Sequence, residues 1–507
     1  LMTADVICSG NRSEAIPPEL EKVLKTQWKN YLIAQNHDPY LAGRVPAMVG
    51  GIRSFQSELA TKRFHTVSKT LKTLLKLGSA APCDGTPFRL MNPCSWNTAS
   101  PVLLEIQTTD TSQADYELYS EGNEPIELFP AFRSDNGNVV LSPAILEFPS
   151  YGVKEFSIKL RKKKYSSDSD NRKQFLRSRK NHHEWRIDMP EFRDVTFRPL
   201  SGRWRQIPGF FYEHPNTNIS HSYNQLENAP VEITDNKKSG NLHIINWNQD
   251  LLRIRKVPES AFSVKGLIYA GKTGSVAFAE FHHRMTGNIR FLTGQKPFSC
   301  WKFKILVPSA DLKIFADSPF GEEQRLNRDF YCSYYVRLEW PDRHLLWCTS
   351  QNTRFHLEPQ GEWALLELNV FDFEYMGTAN WDMRFYAGDN FSPAESMRMA
   401  ESFRRHPLIV PENIDGGMWE GIRVDNPDIL ITHIFPADSS EGSAIRALNA
   451  CSETRNAIFH LNRDFSGVYA ADILGNPDGK TSLVAKNASE FEYRFRPWEI
   501  ATFHVKI

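Results

Sequence analysis

Apolar positions recur at helical spacing in only a few stretches of the 507-residue chain. In residues 17–37, Leu20, Val23, Leu24, Trp28, Tyr31 and Leu32 return every three or four positions, which predicts an amphipathic helix. Pro17 and Pro18 stand at its start, where proline is tolerated. Pro39 disfavours helical geometry at Asp38, so Gln35-Asn36-His37-Asp38 falls at the C-terminal edge. Met48, Ile52, Phe55, Leu59, Val67, Leu71 and Leu74 predict a second helix over 47–77, with Gly50-Gly51 near its start and Gly78 as its stop. Two such stripes must be buried, so residues 1–80 are expected to form a small helical bundle leaning on another domain.

After Gly78 the period changes to two. Pro101–Gln107, Tyr116–Tyr119, Val139–Leu141 and Glu155–Leu160 predict a small antiparallel sandwich over 81–165. Leu242–Trp247, Ser275–Phe281, Cys300–Val307, Tyr331–Trp340 and Ala364–Phe371 predict one large sandwich over 166–410. Pro393–Arg405 is its one helix-like segment. The last region, 411–507, is again β. Phe491, Tyr493 and Phe495 share a face, then Ala501, Phe503, Val505 and Ile507, with Arg496-Pro497 breaking the run into two strands around a corner. The expected fold is mainly β, with an N-terminal α-helical bundle and stacked antiparallel β-sandwiches.

Charge and composition narrow the function classes. Sixty basic side chains balance 60 acidic ones, which argues against general nucleic-acid binding. No apolar run approaches the ~18 residues of a membrane-spanning helix, so no membrane partner is expected. Aromatic residues make up 12% and include 12 Trp, which suits β-sheet cores and also sugar-binding surfaces. Seven cysteines without a CxxC pair argue against a thiolate zinc site. The sequons at Asn11, Asn218, Asn390 and Asn487 do not place the chain in the secretory pathway. Residues 161–180 hold nine Lys/Arg against two Asp and read as a solvated loop. The chain opens Leu-Met-Thr-Ala-Asp-Val, with neither a start Met at position 1 nor a signal segment, and is expected to continue a longer sequence.

Catalytic signatures are sparse. GxSxG, HExxH, GxGxxG and H-x-D do not occur. Gly266-Leu-Ile-Tyr-Ala-Gly271-Lys272-Thr273 matches the phosphate-loop pattern, but its β-prone interior predicts a hairpin. His356-Leu357-Glu358 reads as part of a strand, and His182-His183-Glu184 lies beside the basic loop. Glu339, Glu367, Asp372 and Glu374 are acidic candidates in the large β region, with Asp372 and Glu374 on one face of a strand. The strongest constellation is Trp28 to Asp38. An imidazole and a carboxylate at a helix edge can share a cleft, and a neutral His can ligate zinc.

That stretch resembles the W-x-x-L-L-x-x-Q-H-H-D signature in the middle helical domain of class II α-mannosidases, glycoside hydrolase family 38. Further segments follow in the family's order. Met91-Asn92-Pro93-Cys94-Ser95-Trp96-Asn97 resembles the Asn-Pro-Leu-Ser-Trp segment, and Ser318-Pro319-Phe320-Gly321 the Pro-Phe-Gly turn. Leu430–Asn449, with Ala444-Ile445-Arg446, resembles a characteristic strand pair, and Arg496–Phe503 the closing Pro-x-Glu-Ile-x-Thr-Leu motif. The resemblance implies a zinc-dependent retaining α-mannosidase, with His37 as a metal ligand and Asp38 as a substrate contact. Asn36 stands where the family has its first His, which puts that residue's substrate contact in doubt. The family's nucleophile and remaining zinc ligands lie in an N-terminal catalytic domain, so no catalytic residue is expected in this chain. The implied partners are that domain or chain and a mannose-containing glycan; an oligomer is compatible with the sequence. Alternative readings are a carbohydrate-binding or structural sandwich module without hydrolase activity, and an unrelated sandwich enzyme.

Overall fold

The structure is a computed structural model. It describes residues 2–10, 20–34, 63, 65–107, 115–121, 125–126, 132–133, 139–161, 176–178, 185–187, 189–206, 231–236, 242–251, 261–288, 297–318, 321–350, 353–373, 377–414, 417–437 and 442–506. All strand pairing between its sheet neighbours is antiparallel, and the chain divides into two compact units. The first comprises 1–162, 393–398 and 405–507; the second comprises 163–392 and 399–404. No helix of the described residues is long and apolar enough to cross a membrane.

In the first unit a five-stranded and a three-stranded sheet enclose a core that includes Phe88, Leu104, Ile106, Leu118 and Ile158. Strand Leu408–Val410 pairs with Pro87–Met91 from more than 300 positions away, so the small sandwich is completed late in the chain. Two further sheets, of four and five strands, belong to the C-terminal region. Phe491 and Phe495 on one strand and Phe503 and Val505 on the next are fully buried, as their alternation predicts. The Phe459 and Phe491 rings stack at 4.6 Å. The predicted corner is present: Glu490–Phe495 belongs to the four-stranded sheet and Ile500–Lys506 to the five-stranded one.

The expected N-terminal helical bundle is not evident. Helix α1 (Met2–Gly10) packs on the strand Ile429–Pro436. Helix α2 (Leu20–Ala34) and helix α3 (65–74) contribute Leu24, Val67 and Leu71 to one core with Ile431, Ile445 and Phe459. An apolar stripe states that a face must be buried, not what buries it; here the burying surface is a sheet. The helix over 47–77 is described only from residue 63. Its stop is also not Gly78. Lys76 takes the left-handed conformation at φ 49°, with Leu77 N–H donating to Lys72 O and Lys76 N–H to Thr73 O. This is a Schellman ending with a lysine at its left-handed position. Gly78 serves packing instead: a Cβ there would lie 2.5 Å from Ile409 Cγ2.

The second unit is a nine-stranded sheet and a seven-stranded sheet facing one another across an aromatic core that includes Phe197, Phe281, Phe303, Trp347 and Phe385. The predicted single run Tyr331–Trp340 is two strands. Asp329–Cys332 joins the seven-stranded sheet and Tyr335–Trp340 the nine-stranded one. The buried Asp317 carboxylate makes the break, its Oδ1 accepting the N–H groups of Ser333, Tyr334 and Tyr335 at 2.9, 2.9 and 3.0 Å. Helix α4 (Pro393–Arg404) lies where the periodicity placed it.

Candidate functional site

His37 and Asp38, the predicted ligand and sugar contact, lie outside the described residues, as does Asn36. Helix α2, which leads toward them, is described to Ala34 and is firmly anchored. Trp28 Nε1–H donates to Asp5 Oδ2 at 2.9 Å, and His433 Nε2 meets the same oxygen at 2.9 Å. Asp5 is buried on α1, so its carboxylate is tolerated only because donors surround it. Trp28 also meets Tyr31 edge-on at 5.8 Å. The strand register shifts between Ile431 and His433, a bulge of the kind that re-aims a side chain. Three elements therefore converge on one carboxylate and set the roll of α2.

Of the other family-like segments, Asn92–Asn97 and Arg496–Phe503 hold turns, while Pro319-Phe320 lie outside the described residues. Asn92 is buried; its Nδ2 donates to Trp96 O and Pro149 O, and its Oδ1 accepts Cys94 N–H. Asn449 repeats the device with Glu453 O, Arg496 O and Cys451 N–H. Glu499 accepts Arg496 N–H at 2.6 Å, closing the corner beside Trp498, whose φ is 55°. The predicted strand pair is present as Ile429–Pro436 with Ser443–Asn449. Beside the Asn92–Asn97 loop opens a cleft of about 280 Å³, with Trp96, Asn97, Arg398, Arg423, Asp425 and Ile431 in its walls.

The second unit holds a polar cluster that the alternation of its strands did not reveal. On Val276–Asn288, Ala277, Ala279 and Phe281 enter the sandwich core, while Glu280 and His282 occupy the opposite face. Arg384 Nε donates to Glu280 Oε2 at 2.5 Å, and Arg384 Nη1 to the Tyr386 hydroxyl at 2.9 Å. His282 lies 2.8 Å from Glu280 Oε1 through Nε2 and 2.8 Å from Asp382 Oδ1 through Nδ1. Phe403 of α4 covers the guanidinium at 4.9 Å. Burial opposes the charge on Glu280, but Arg384 and His282 outweigh it and hold the carboxyl down at about 2. Burial likewise opposes protonation of His282, and Asp382 and Glu280 outweigh it, raising the imidazole to about 10. Each charge has its counter-charge, so the arrangement locks strands together.

The remaining candidates with described side chains are held in structural contacts as well. Gly271-Lys272-Thr273 ends a strand, and the hairpin turns at Gly274, φ 60°, as predicted. His356 lies on the strand Thr353–Gln360 and meets Asp329 Oδ1 at 3.1 Å. Glu339 is held by Lys313 and Arg337, and Glu367 by Lys304 at 2.7 Å. Asp372 sits on the strand Trp363–Phe373, while Glu374 and His182-His183-Glu184 lie outside the described residues. Among the described residues no group of three or more His, Cys, Asp or Glu could hold a metal ion.

No protein-family profile matches the sequence, and no curated protein matches it either. Solved structures do. A protein in the glycosyl hydrolase family 38 from Enterococcus faecalis matches 99% of this chain and 67% of its own, with TM-score 0.61 and 13% identity. An alpha-mannosidase from Enterococcus faecalis V583 matches 99% of this chain and 68% of its own, with TM-score 0.52 and 11% identity. Over nearly its whole length, then, the chain has the fold found in solved family 38 glycosyl hydrolases.

Proposed function

We propose that this chain is the part of a zinc-dependent, retaining α-mannosidase-type glycoside hydrolase that lies outside the catalytic domain. The supporting observation is the fold shared over 99% of the chain with solved structures that include an alpha-mannosidase from Enterococcus faecalis V583. The ordered motifs add to it, from Trp28–Asp38 to Arg496–Phe503. In this reading His37 contributes one ligand through a neutral imidazole nitrogen, and Asp38 accepts hydrogen bonds from sugar hydroxyls. A zinc ion held in part by His37 would supply Lewis-acid binding of sugar hydroxyls and would favour distortion toward an oxocarbenium-like state. Asp5, Trp28 and His433 hold the helix that leads to this edge.

The chemistry needs more than this chain supplies. A retaining glycosidase requires a nucleophile and an acid/base carboxyl about 5–5.5 Å apart, and zinc requires about four ligands. The 507 residues contain no H-x-D, and the carboxylates of Glu280, Glu339 and Glu367 are each committed to cations. The nucleophile, acid/base and other ligands are therefore assigned to an N-terminal catalytic domain, in the same polypeptide or another, and the substrate to a terminal α-mannoside. Metal-loaded, the isolated 507-residue chain is expected to leave an aryl α-mannoside intact; turnover by it alone would sink the proposal. In the full assembly, His37→Ala is expected to lower zinc content and activity together. Full zinc occupancy in that variant discards the ligand assignment; the alternative of a glycan-binding module, to which Asn36 lends weight, is favoured by glycan binding of the chain without a partner.

A further inference from the structure

We infer that the cleft beside the Asn92–Asn97 loop is a second carbohydrate site, which takes one neutral pyranose ring and uses no residue of the proposed zinc edge. Its walls are tied together before any ligand arrives. Ser95 Oγ–H donates to Ile431 O at 2.6 Å, Ser150 Oγ–H to Ile422 O at 2.6 Å, and Ser150 N–H to Asn97 Oδ1 at 3.1 Å. Arg398 Nη2 donates to the carbonyls of Pro427 and Ile429, bracing the opposite side. A wall built this way loses little freedom on binding, which favours affinity for a small ligand.

The lining has two characters. Trp96 and Val424, both half-buried, supply an aromatic and apolar surface, while Asn97, Arg423 and Asp425 stand exposed at the rim with donors and acceptors. A sugar ring presents the same pair, a face of C–H groups and an edge of hydroxyls. The volume, about 280 Å³, has room for one ring and lies just below the usual range for drug-sized ligands.

Charge decides against an anion. Burial lowers the Arg398 pKa against the pull of the Glu395 and Asp428 carboxylates, and its guanidinium donates to backbone carbonyls. Asp425 sits in the same wall, where its Oδ1 accepts Ile458 N–H at 2.7 Å. A phosphate or sulfate would therefore meet the Asp425 carboxylate as well as the guanidiniums of Arg398 and Arg423. A neutral polyol meets no such conflict.

The probe is methyl α-D-mannopyranoside, titrated onto the full 507-residue chain and read by saturation-transfer NMR. Saturable binding with Kd on the order of 1 mM is expected for a ligand of this size. Arg423→Ala, an exposed position, is expected to weaken it about tenfold, the worth of one charge-assisted hydrogen bond. Trp96→Ala should abolish binding and Trp96→Phe should keep part of it. Inorganic phosphate should not compete, and His37→Ala should leave Kd unchanged, which separates this site from the zinc proposal. Absence of saturable binding overturns the inference, as does displacement by phosphate or wild-type affinity in Arg423→Ala. If Trp96→Ala fails to fold by circular dichroism, Arg423→Ala and Trp96→Phe still decide.

Discussion

Glu280 and Arg384 are 0% and 1% exposed, an ion pair taken fully out of water. Such a pair is weak evidence of net stability, but losing one partner strands the other. Glu280→Gln is expected to cost about 3–5 kcal/mol in denaturant melts. His282 adds a pH signature. Its folded pKa, about 10, lies above the ordinary 6.5, so its contribution is fully present below about pH 6.5 and is lost as pH rises through about 10. Glu280 sits at about 2 against 4.5, so its share is present above about pH 4.5 and fades as pH falls toward 2. His282→Gln should therefore flatten the alkaline limb of stability between pH 7 and 10; an unchanged limb would remove the role given to the imidazole. In the sequence these charges alternate with Ala279 and Phe281 and look like a solvent face. Their burial depends on partners about 100 residues away, which no local pattern reveals.

At the scale of elements, two of the segments that resemble family 38 motifs hold turns around a buried Asn or its neighbour. Asn92 and Asn449 each bond two carbonyls and one N–H around a tight loop. Asn449→Ala leaves buried backbone groups without that partner and is expected to cost about 1–3 kcal/mol. A melt unchanged within a few tenths would show that water replaces the amide. Element type was legible from the sequence wherever burial is one-sided, as in Phe491–Phe495 and Pro393–Arg404. The break at Ser333-Tyr334 was not, because the carboxylate that makes it belongs to Asp317, on another strand. Nor was the role of Gly78, which depends on Ile409 arriving from a distant strand. For the candidate site, His37 and Asp38 are proposed from residue types alone and lie outside the described residues, whereas the cleft beside Trp96 needs two segments more than 300 residues apart.

At the scale of the molecule, each unit has its own core. The aromatic core running from Ile187 to Ala387 lies wholly in the second unit, and the cores built around Ile431 and around Ile106 lie in the first. Calorimetry is expected to resolve more than one transition. Glu280→Gln should lower one and leave the other in place; a single transition that moves as a whole would contradict this. The sequence could not show that the first unit takes in residues 405–507, since its small sandwich and its helices are completed by those residues.

The Asp5–His433 contact closes a span of 428 residues. At about 5–20 residues per second, a ribosome needs on the order of 20–90 s to make the strand that receives α1. Throughout that interval Ala4, Val6 and Ile7 have no sheet to lie on. Helix α1 is thus made more than 400 residues before the strand that seats it, and its apolar face must be shielded meanwhile by a chaperone or by the nascent chain itself.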